Sequence, residues 1–305
     1  MRGPESASTA QPTETRAVVL EEKATTPPAD PATDTPLPVA SATVAPLPTL
    51  IPTGTPFFSP PLPGQAARIP ILMYHHLAPL GPNPSQTSRD WTVSPDSFTA
   101  QLDYLVAQGY HTITFVQLVA FFQGQPLPTH PIILTFDDGW IDDYTVAFPA
   151  LHARRMIGTF FVPTQYADAG GKTLINWAQV QEMDAAGMEF GGHTINHADL
   201  KKVSSEEATR QLQNSKYKME QKLGHSTIAF AYPFGSYNAE TLALVRQSGY
   251  RAAVGLCCGY QLRADLLLTL PRIRVSYDDT LQDFIKRLPP ADPAKLGWRW
   301  VQPGI

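Results

Sequence analysis

The sequence predicts an α/β fold: a parallel sheet, covered by helices, that closes or nearly closes into a (β/α) barrel. Three observations carry that expectation. From Arg68 onward, short apolar and β-branched runs alternate with helix-period segments seven or eight times. So many βα units in series favour a barrel over an open doubly wound sheet. No glycine-rich nucleotide loop of the Rossmann or P-loop type interrupts the series.

The elements follow in order. "IPILMYH" reads as a first buried strand. Ser94-Pro95 then sets a cap residue before a first-turn proline, and Phe98, Leu102, Leu105 and Val106 follow at helical spacing until Gly109. "HTITF" is a short strand, followed by a helix over 117–122. "PIILTF" is the next strand, with a helix over 144–154 behind it. "GTFFVP" precedes a helix over 177–186 that Gly187 closes. "MEFGGH" is a strand ending in histidine. Ser204 opens a long helix through a Ser-x-x-Glu box to Glu207, and Gly224 ends it. "STIAFAYP", a helix over 239–247, "RAAVGL", "LPRIRV" and a helix over 281–288 complete the series.

The chain has 305 residues, 43% of them hydrophobic, enough for one large core plus an appendage. Residues 1–64 hold 14 of the 30 prolines, many Thr and Ala, and no aromatic residue before Phe57. Such a composition cannot bury enough apolar surface to fold, so 1–64 is expected to be a disordered Pro/Thr-rich linker or stalk and 65–305 the folded domain. A net charge of −4 without a basic tract argues against nucleic-acid binding. No run of 18 apolar residues is present, so no transmembrane helix is expected. The stalk composition suggests a protein that is extracellular or tethered to a cell surface, its export signal removed or lying upstream; a monomer is expected. The two cysteines, Cys257 and Cys258, are adjacent and are expected to be buried thiols rather than a bridge or a metal site.

Active sites on such barrels gather at the C-terminal ends of the strands. Those ends carry Tyr74-His75-His76, Asp137-Asp138, His193 with His197, Tyr232-Pro233-Phe234-Gly235, and Arg272 in the last strand. Asp-Gly is a common turn dipeptide, so "TFDDG" alone suggests a solvated turn. Its neighbours change that reading. His193 and His197 stand four apart, which would put both imidazoles on one face of a helical turn, and the preceding glycines let backbone pass close. Two His and one carboxylate suit zinc or a neighbouring divalent metal and leave coordination positions open, a catalytic pattern. Asp138 is the natural third ligand. Asp137, on the alternate side of the strand, is then free to act as a base, and the whole points to metal-assisted hydrolysis of an amide or ester.

"TFDDG", "HTINH" and "AYPFG" resemble the first three motifs of the polysaccharide deacetylases, the NodB-homology family (carbohydrate esterase family 4). The similarity runs from about Ile69 past Val275, and "PILMYHHL" and "LPRIRV" are similar to the branch acting on poly-N-acetylglucosamine. The resemblance implies a distorted (β/α) barrel, Asp137 as general base, and Asp138, His193 and His197 as ligands of a divalent metal: zinc first, with cobalt, nickel or manganese tolerated. It implies a polysaccharide or oligosaccharide substrate bound partly by Tyr232, Pro233 and Phe234, with a backbone N–H near Tyr232 holding the oxyanion. Two departures stand out. The arginine that family members place before Pro-Tyr is replaced by Ala231-Tyr232, and Arg272 is the candidate to take over the orienting of Asp137. The late Leu-x-x-His is missing, since no histidine follows His225, and His75 would serve as the acid instead. His76 is expected to face away and to be structural, Asp142 and Asp143 to cap the following helix, and Trp91, Trp140 and Trp177 to be candidates for a sugar groove. The function implied is removal of N-acetyl groups from N-acetylglucosamine-containing surface polysaccharide; an O-acetyl xylan-type esterase and an inactive glycan-binding scaffold are the alternatives.

Overall fold

The computed structural model describes residues 57–256 and 258–289. The elements that position the site are β1 (Ile71–Tyr74), α1 (Pro95–Ala107), β2 (His111–Thr112), α2 (Phe115–Phe122), β3 (Pro131–Asp137), α3 (Phe148–Ala153), β4 (Thr159–Val162) and α4 (Trp177–Ala185). They continue as β5 (Glu189–Gly192), α5 (Ser205–Leu223), β6 (Ala229–Ala231), α6 (Ala239–Gln247), β7 (Ala252–Val254), β8 (Ile273–Arg274) and α7 (Leu281–Arg287). The sheet runs in the order β7-β6-β5-β4-β3-β1-β8, with β2 pairing the start of β3, and every one of these pairings is parallel. A bridge between Val254 and Leu270 brings the chain leading into β8 back onto β7. The sheet thus curls into a distorted, nearly closed barrel, as the unit count predicts.

Register explains how this sheet coheres. Tyr74, Phe136, Phe160 and Phe190 are cross-strand partners on four adjacent strands. Their rings form one ladder, with centroids 5.4, 4.7 and 5.6 Å apart. This row faces the helices. Residues one step along point to the other face and fill the barrel with Ile133, Phe161, Ala229 and Val254. The ring of Phe161 occupies the space that a Cβ on Gly191 would need, at 2.4 Å, and the Tyr250 hydroxyl does the same at Gly192, at 2.0 Å. The two glycines before His193 are therefore required by close packing.

Helix starts match their sequence signals. Ser94 accepts from the Ser97 amide ahead of Pro95, and Ser204 accepts from the Glu207 amide. The return half of the latter box does not form, because the Glu207 carboxylate binds Arg210 and Gln211 instead. Gly224 ends α5 in the left-handed conformation, φ 78°.

Several expectations are corrected. The single helix over 144–154 is a π turn, Asp143–Ala147, followed by α3; Pro149 has no N–H to continue the α pattern, and the Phe148 amide reaches back to the Asp143 carbonyl. Two six-residue helices, Gln86–Trp91 and Thr164–Ala169, were too short to show a period. Phe57–Phe58, placed in the stalk by sequence, form a strand against Leu127–Pro128, and the Phe58 ring stacks on Phe121 at 5.3 Å. The folded part therefore includes residues before 65, while 1–56 and the C-terminal "GWRWVQPGI" lie outside the described residues. Cys258 is exposed and disulfide-bonded, which overturns the buried-thiol reading for it; Cys257 lies outside the described residues.

Replacing Gly192 by Ala should destabilise the domain by about 1–3 kcal/mol through overpacking against Tyr250. Thermal unfolding by circular dichroism checks this, and an unchanged midpoint would show that the ring moves aside freely.

Candidate metal and catalytic site

The strand ends converge on a cavity of about 610 Å³. His75, His76, Asp137, Asp138, His193 and His197 all line it, with Trp91, Trp140, Tyr232 and Phe234 around them.

Asp137 is the last residue of β3 and points into the barrel. It is 2% exposed, so its charge needs a partner, and that partner is Arg272, itself 1% exposed. The guanidinium forms a fork, donating to Oδ1 at 2.8 Å and Oδ2 at 2.7 Å. Two further donors go to the Gly255 carbonyl at 2.7 Å and the Thr135 hydroxyl at 3.0 Å. Burial opposes ionisation of Asp137, but Arg272, by charge and by hydrogen bonds, outweighs it and holds the carboxyl below its ordinary value.

The next residue leaves the strand. Asp138 is left-handed, φ 78°, so simple alternation no longer applies and both carboxylates line the one cavity from different directions. Asp138 Oδ2 accepts from the Trp140 indole at 3.3 Å. Its Oδ1 is buried and has no hydrogen-bond partner among the described residues. Nε2 of His193 and Nε2 of His197 each lie 3.3 Å from that Oδ1. His193 donates from Nδ1 to the Ala231 carbonyl at 2.7 Å, so in the neutral ring Nε2 carries a lone pair. Burial, and then the nearby His193, lower His197 to about 4 against the attraction of Asp138, so the His197 ring is neutral near pH 7. Two imidazole lone pairs and an orphaned carboxylate oxygen thus converge on one point. Three donors within 4.8 Å of one another fit a single divalent cation. With metal–donor bonds of about 2.0–2.2 Å, tetrahedral ligands stand roughly 3.3 Å apart, the spacing observed.

The helical turn expected for His193–His197 is absent. The chain bends through Thr194 (φ 67°) to His197 (φ 63°), and the bend itself brings the rings to 4.9 Å. The Thr194 hydroxyl accepts from the Ala198 amide, and Gln211 of α5 accepts from the Ile195 amide.

His75 lies with Nε2 3.8 Å from Asp137 Oδ2, its ring 4.5 Å from Trp91. Burial lowers its pKa against the attraction of Asp137 and Asp138. His76 does not face away as alternation implied, because β1 ends at Tyr74. It also lines the cavity, packs its ring against Trp140 at 4.2 Å and 34° of tilt, and holds Asp142 at 3.3 Å. Asp142 consequently caps no helix, and Asp143 is wholly buried with both oxygens unpartnered among the described residues.

Of the aromatic candidates, Trp91 and Trp140 line the cavity, while Trp177 packs elsewhere and donates to Asp168. Tyr232 is buried and donates its hydroxyl to the Leu268 carbonyl, whereas Phe234 is 59% exposed. Pro233 is buried and is not among the lining residues. The Tyr232 amide is committed to the Val254 carbonyl and Pro233 has none, so neither offers an oxyanion donor. Leu256, missed by sequence, also lines the site; it follows the end of β7, and the strand-end rule applied there would have found it.

A profile described as polysaccharide deacetylase matches residues 124–253. The solved Streptococcus pyogenes deacetylase PplD, in complex with acetate, is 32% identical, with a TM-score of 0.68 over 74% of this chain and 100% of that one. The chain belongs to the polysaccharide deacetylase family. A putative polysaccharide deacetylase of Bacillus subtilis, YxkH, is 29% identical over 70% of this chain and 73% of its own. A poly-beta-1,6-N-acetyl-D-glucosamine N-deacetylase of Staphylococcus aureus is 23% identical over 67% and 74%.

Arg272→Met should cost about 3–5 kcal/mol, because it strands the Asp137 charge in the barrel. The double change Arg272→Met/Asp137→Leu should recover most of that loss in a urea-unfolding cycle; additive losses would mean that the pair is not coupled.

Asp143 gives a pH signature. Burial first, then the neighbouring Asp142, raise its carboxyl well above the ordinary value. Its stabilising contribution is full below the unfolded pKa, near 3.8, and is lost as pH rises, because the unfolded chain ionises first. Asp143→Asn should therefore gain stability over the wild type as pH rises from about 4 to 8, measured by denaturant midpoints at each pH. A parallel pH dependence in the two proteins would refute it.

Proposed function

We propose that this polysaccharide deacetylase is a metal-dependent hydrolase that removes N-acetyl groups from N-acetylglucosamine-containing surface polysaccharide. The observation that carries the proposal is one cavity with cation donors on one wall, an arginine-held carboxylate on another, and an imidazole beside it. The name of the Staphylococcus aureus relative supports the N-acetylglucosamine substrate. The stalk-like composition of residues 1–64 supports action outside the cell, tethered by that segment. Among the described residues no helix is long and apolar enough to cross a membrane.

Asp138, His193 and His197 would hold the cation, with zinc favoured by the donor set. When bound, it supplies a Lewis acid that polarises the acetamido carbonyl and makes water more acidic. Asp137 is the general base. Arg272 fixes its plane and keeps it ionised, so it is ready to accept a proton from the attacking water. As the carbonyl carbon becomes tetrahedral, negative charge grows on its oxygen. Within 232–234 the backbone donor available to that oxygen is the Phe234 amide, presented by a residue at φ 58°. His75 is neutral until a proton reaches it, and Asp137, 3.8 Å away and so beyond direct hydrogen-bond reach, supplies one through a bridging water. Protonated His75 then delivers the proton to the departing glucosamine nitrogen, the C–N bond breaks, and acetate is left. Trp91 and Trp140 offer flat faces against which pyranose rings pack.

The test is acetate release from N-acetylglucosamine oligomers by the full chain, stripped of metal and then given Zn²⁺ or Co²⁺. Asp137→Asn should keep metal binding and lose about 10²–10⁴ in turnover, and His193→Ala should lose both. His75→Ala should impair amide hydrolysis strongly and spare an activated ester, whose leaving group needs no proton. Equal losses on both substrates would remove His75 from the acid role. Release from O-acetylated xylan alone would replace the proposal with the esterase reading, and metal-independent tight glycan binding without release, with the scaffold.

A further inference from the structure

A second cavity of about 620 Å³ adjoins the first, and the two share Trp91 and Leu256 as a common wall. Its described lining includes three arginines, Arg272, Arg274 and Arg287, and no carboxylate. Two of the three are already committed. Arg272 serves Asp137, and Arg287 makes a fork with Asp279 while donating to the Arg274 carbonyl. Arg274 differs. It stands two residues beyond Arg272, on the same side of an extended chain, and is carried to the rim. Its guanidinium donates no hydrogen bond to any described residue. The nearest carboxylate, Asp90, is 3.9 Å away, beyond hydrogen-bonding reach. The guanidinium lies 5.1 Å from the centre of the Trp91 ring, whose other neighbour is His75 at 4.5 Å. A planar fork with unspent donors thus sits one aromatic ring away from the group placed beside the scissile amide.

We propose that this second cavity binds a carboxylate on the sugar adjacent to the N-acetylglucosamine being deacetylated. Arg274 takes the carboxylate, and Trp91 is the shared platform for the two sugars. This rests on the deacetylase reading and narrows its substrate to an acidic glycan. A guanidinium recognises a carboxylate through paired N–H donors, which a neutral sugar does not use. Among the described residues Asp90 is the carboxylate within 4 Å of Arg274, and an incoming carboxylate at hydrogen-bond distance displaces that loose contact.

The experiment uses the full, zinc-loaded chain and three oligomer sets of equal length. One is N-acetylglucosamine alone, one alternates it with a sugar bearing a lactyl-ether carboxylate, and one alternates it with a uronic acid. The wild type should show a KM about tenfold lower on at least one acidic set than on the neutral set, and the difference should shrink as salt is raised. Arg274→Gln should remove most of that difference with kcat little changed, and Arg274→Lys should restore part of it. Whichever acidic set is preferred identifies where the carboxylate sits. Equal KM values on neutral and acidic sets, or an Arg274→Gln loss of the same size on both, would overturn the proposal. Calorimetric titration of the metal-stripped protein with the same oligomers separates the two readings, because it needs no turnover. Tighter acidic binding that Arg274→Gln abolishes would sustain the subsite even if no acetate were released anywhere, and equal affinities would sink it even in an active enzyme.

Discussion

The pair of Arg272 with Asp137 is the interaction on which the rest of the site depends. An arginine this deeply buried is tolerable only with nearly all of its donors used, and here four hydrogen bonds tie the chain entering β8 to β3 and to the end of β7. Gly255 follows β7, Thr135 and Asp137 belong to β3, and Arg272 enters β8. The guanidinium therefore spans the seam where the curled sheet comes back on itself. Geometry that would be expensive as structure alone fixes a carboxylate, ionised and oriented, at the mouth of the barrel. One guanidinium thus both ties the seam and keeps Asp137 ionised.

Around that fixed carboxylate, Asp138, His193 and His197 are arranged by backbone rather than by regular structure. Asp138, Thr194 and His197 all adopt positive φ, a conformation that costs non-glycine residues about 1–2 kcal/mol each. Such bends persist because neighbours over-determine them. The Ala231 carbonyl orients His193, the Trp140 indole holds one Asp138 oxygen, and Gln211 ties down the Ile195 amide. The strain turns lone pairs inward that a helix or a continuing strand would have pointed apart. It leaves Asp138 Oδ1 buried without a proton donor, which is tolerable for a carboxylate only where positive charge will sit.

Much of this was legible in the sequence, for identifiable reasons. Strands such as "PIILTF" and capped helices such as the one opening at Ser94-Pro95 are local signals, and both elements lie where those signals put them. Strand ends collect the site in any parallel barrel, so Asp137, His193 and Tyr232 could be gathered without knowing a single contact. Alternation and helical spacing failed where the backbone turns left-handed. Asp138 and His197 could not be oriented by counting residues, and His76 was sent to the wrong side because β1 stops one residue earlier than the apolar run implies. The interactions of Asp142 and Asp143 were invisible for another reason: they depend on a π turn that Pro149 helps to impose.

The displaced arginine shows what kind of constraint acts here. Family resemblance places an orienting arginine before Pro-Tyr, and this chain has Ala231 there, fully buried. Ala231 pairs with Val254, whose successor Gly255 offers its carbonyl to Arg272 from the far side of the gap. The need is physical rather than positional: a buried, ionised carboxylate must have a fork of donors, and any strand bordering the seam can supply one. A small residue on β6 and an arginine entering β8 meet that need together. Once an arginine is spaced to reach the base, the residue two positions on is carried along the same side of the chain toward the rim. The arginine that pairs with Asp137 thereby also places Arg274 beside Trp91, so that orientation of that carboxylate and the charge of the neighbouring cavity share one stretch of backbone.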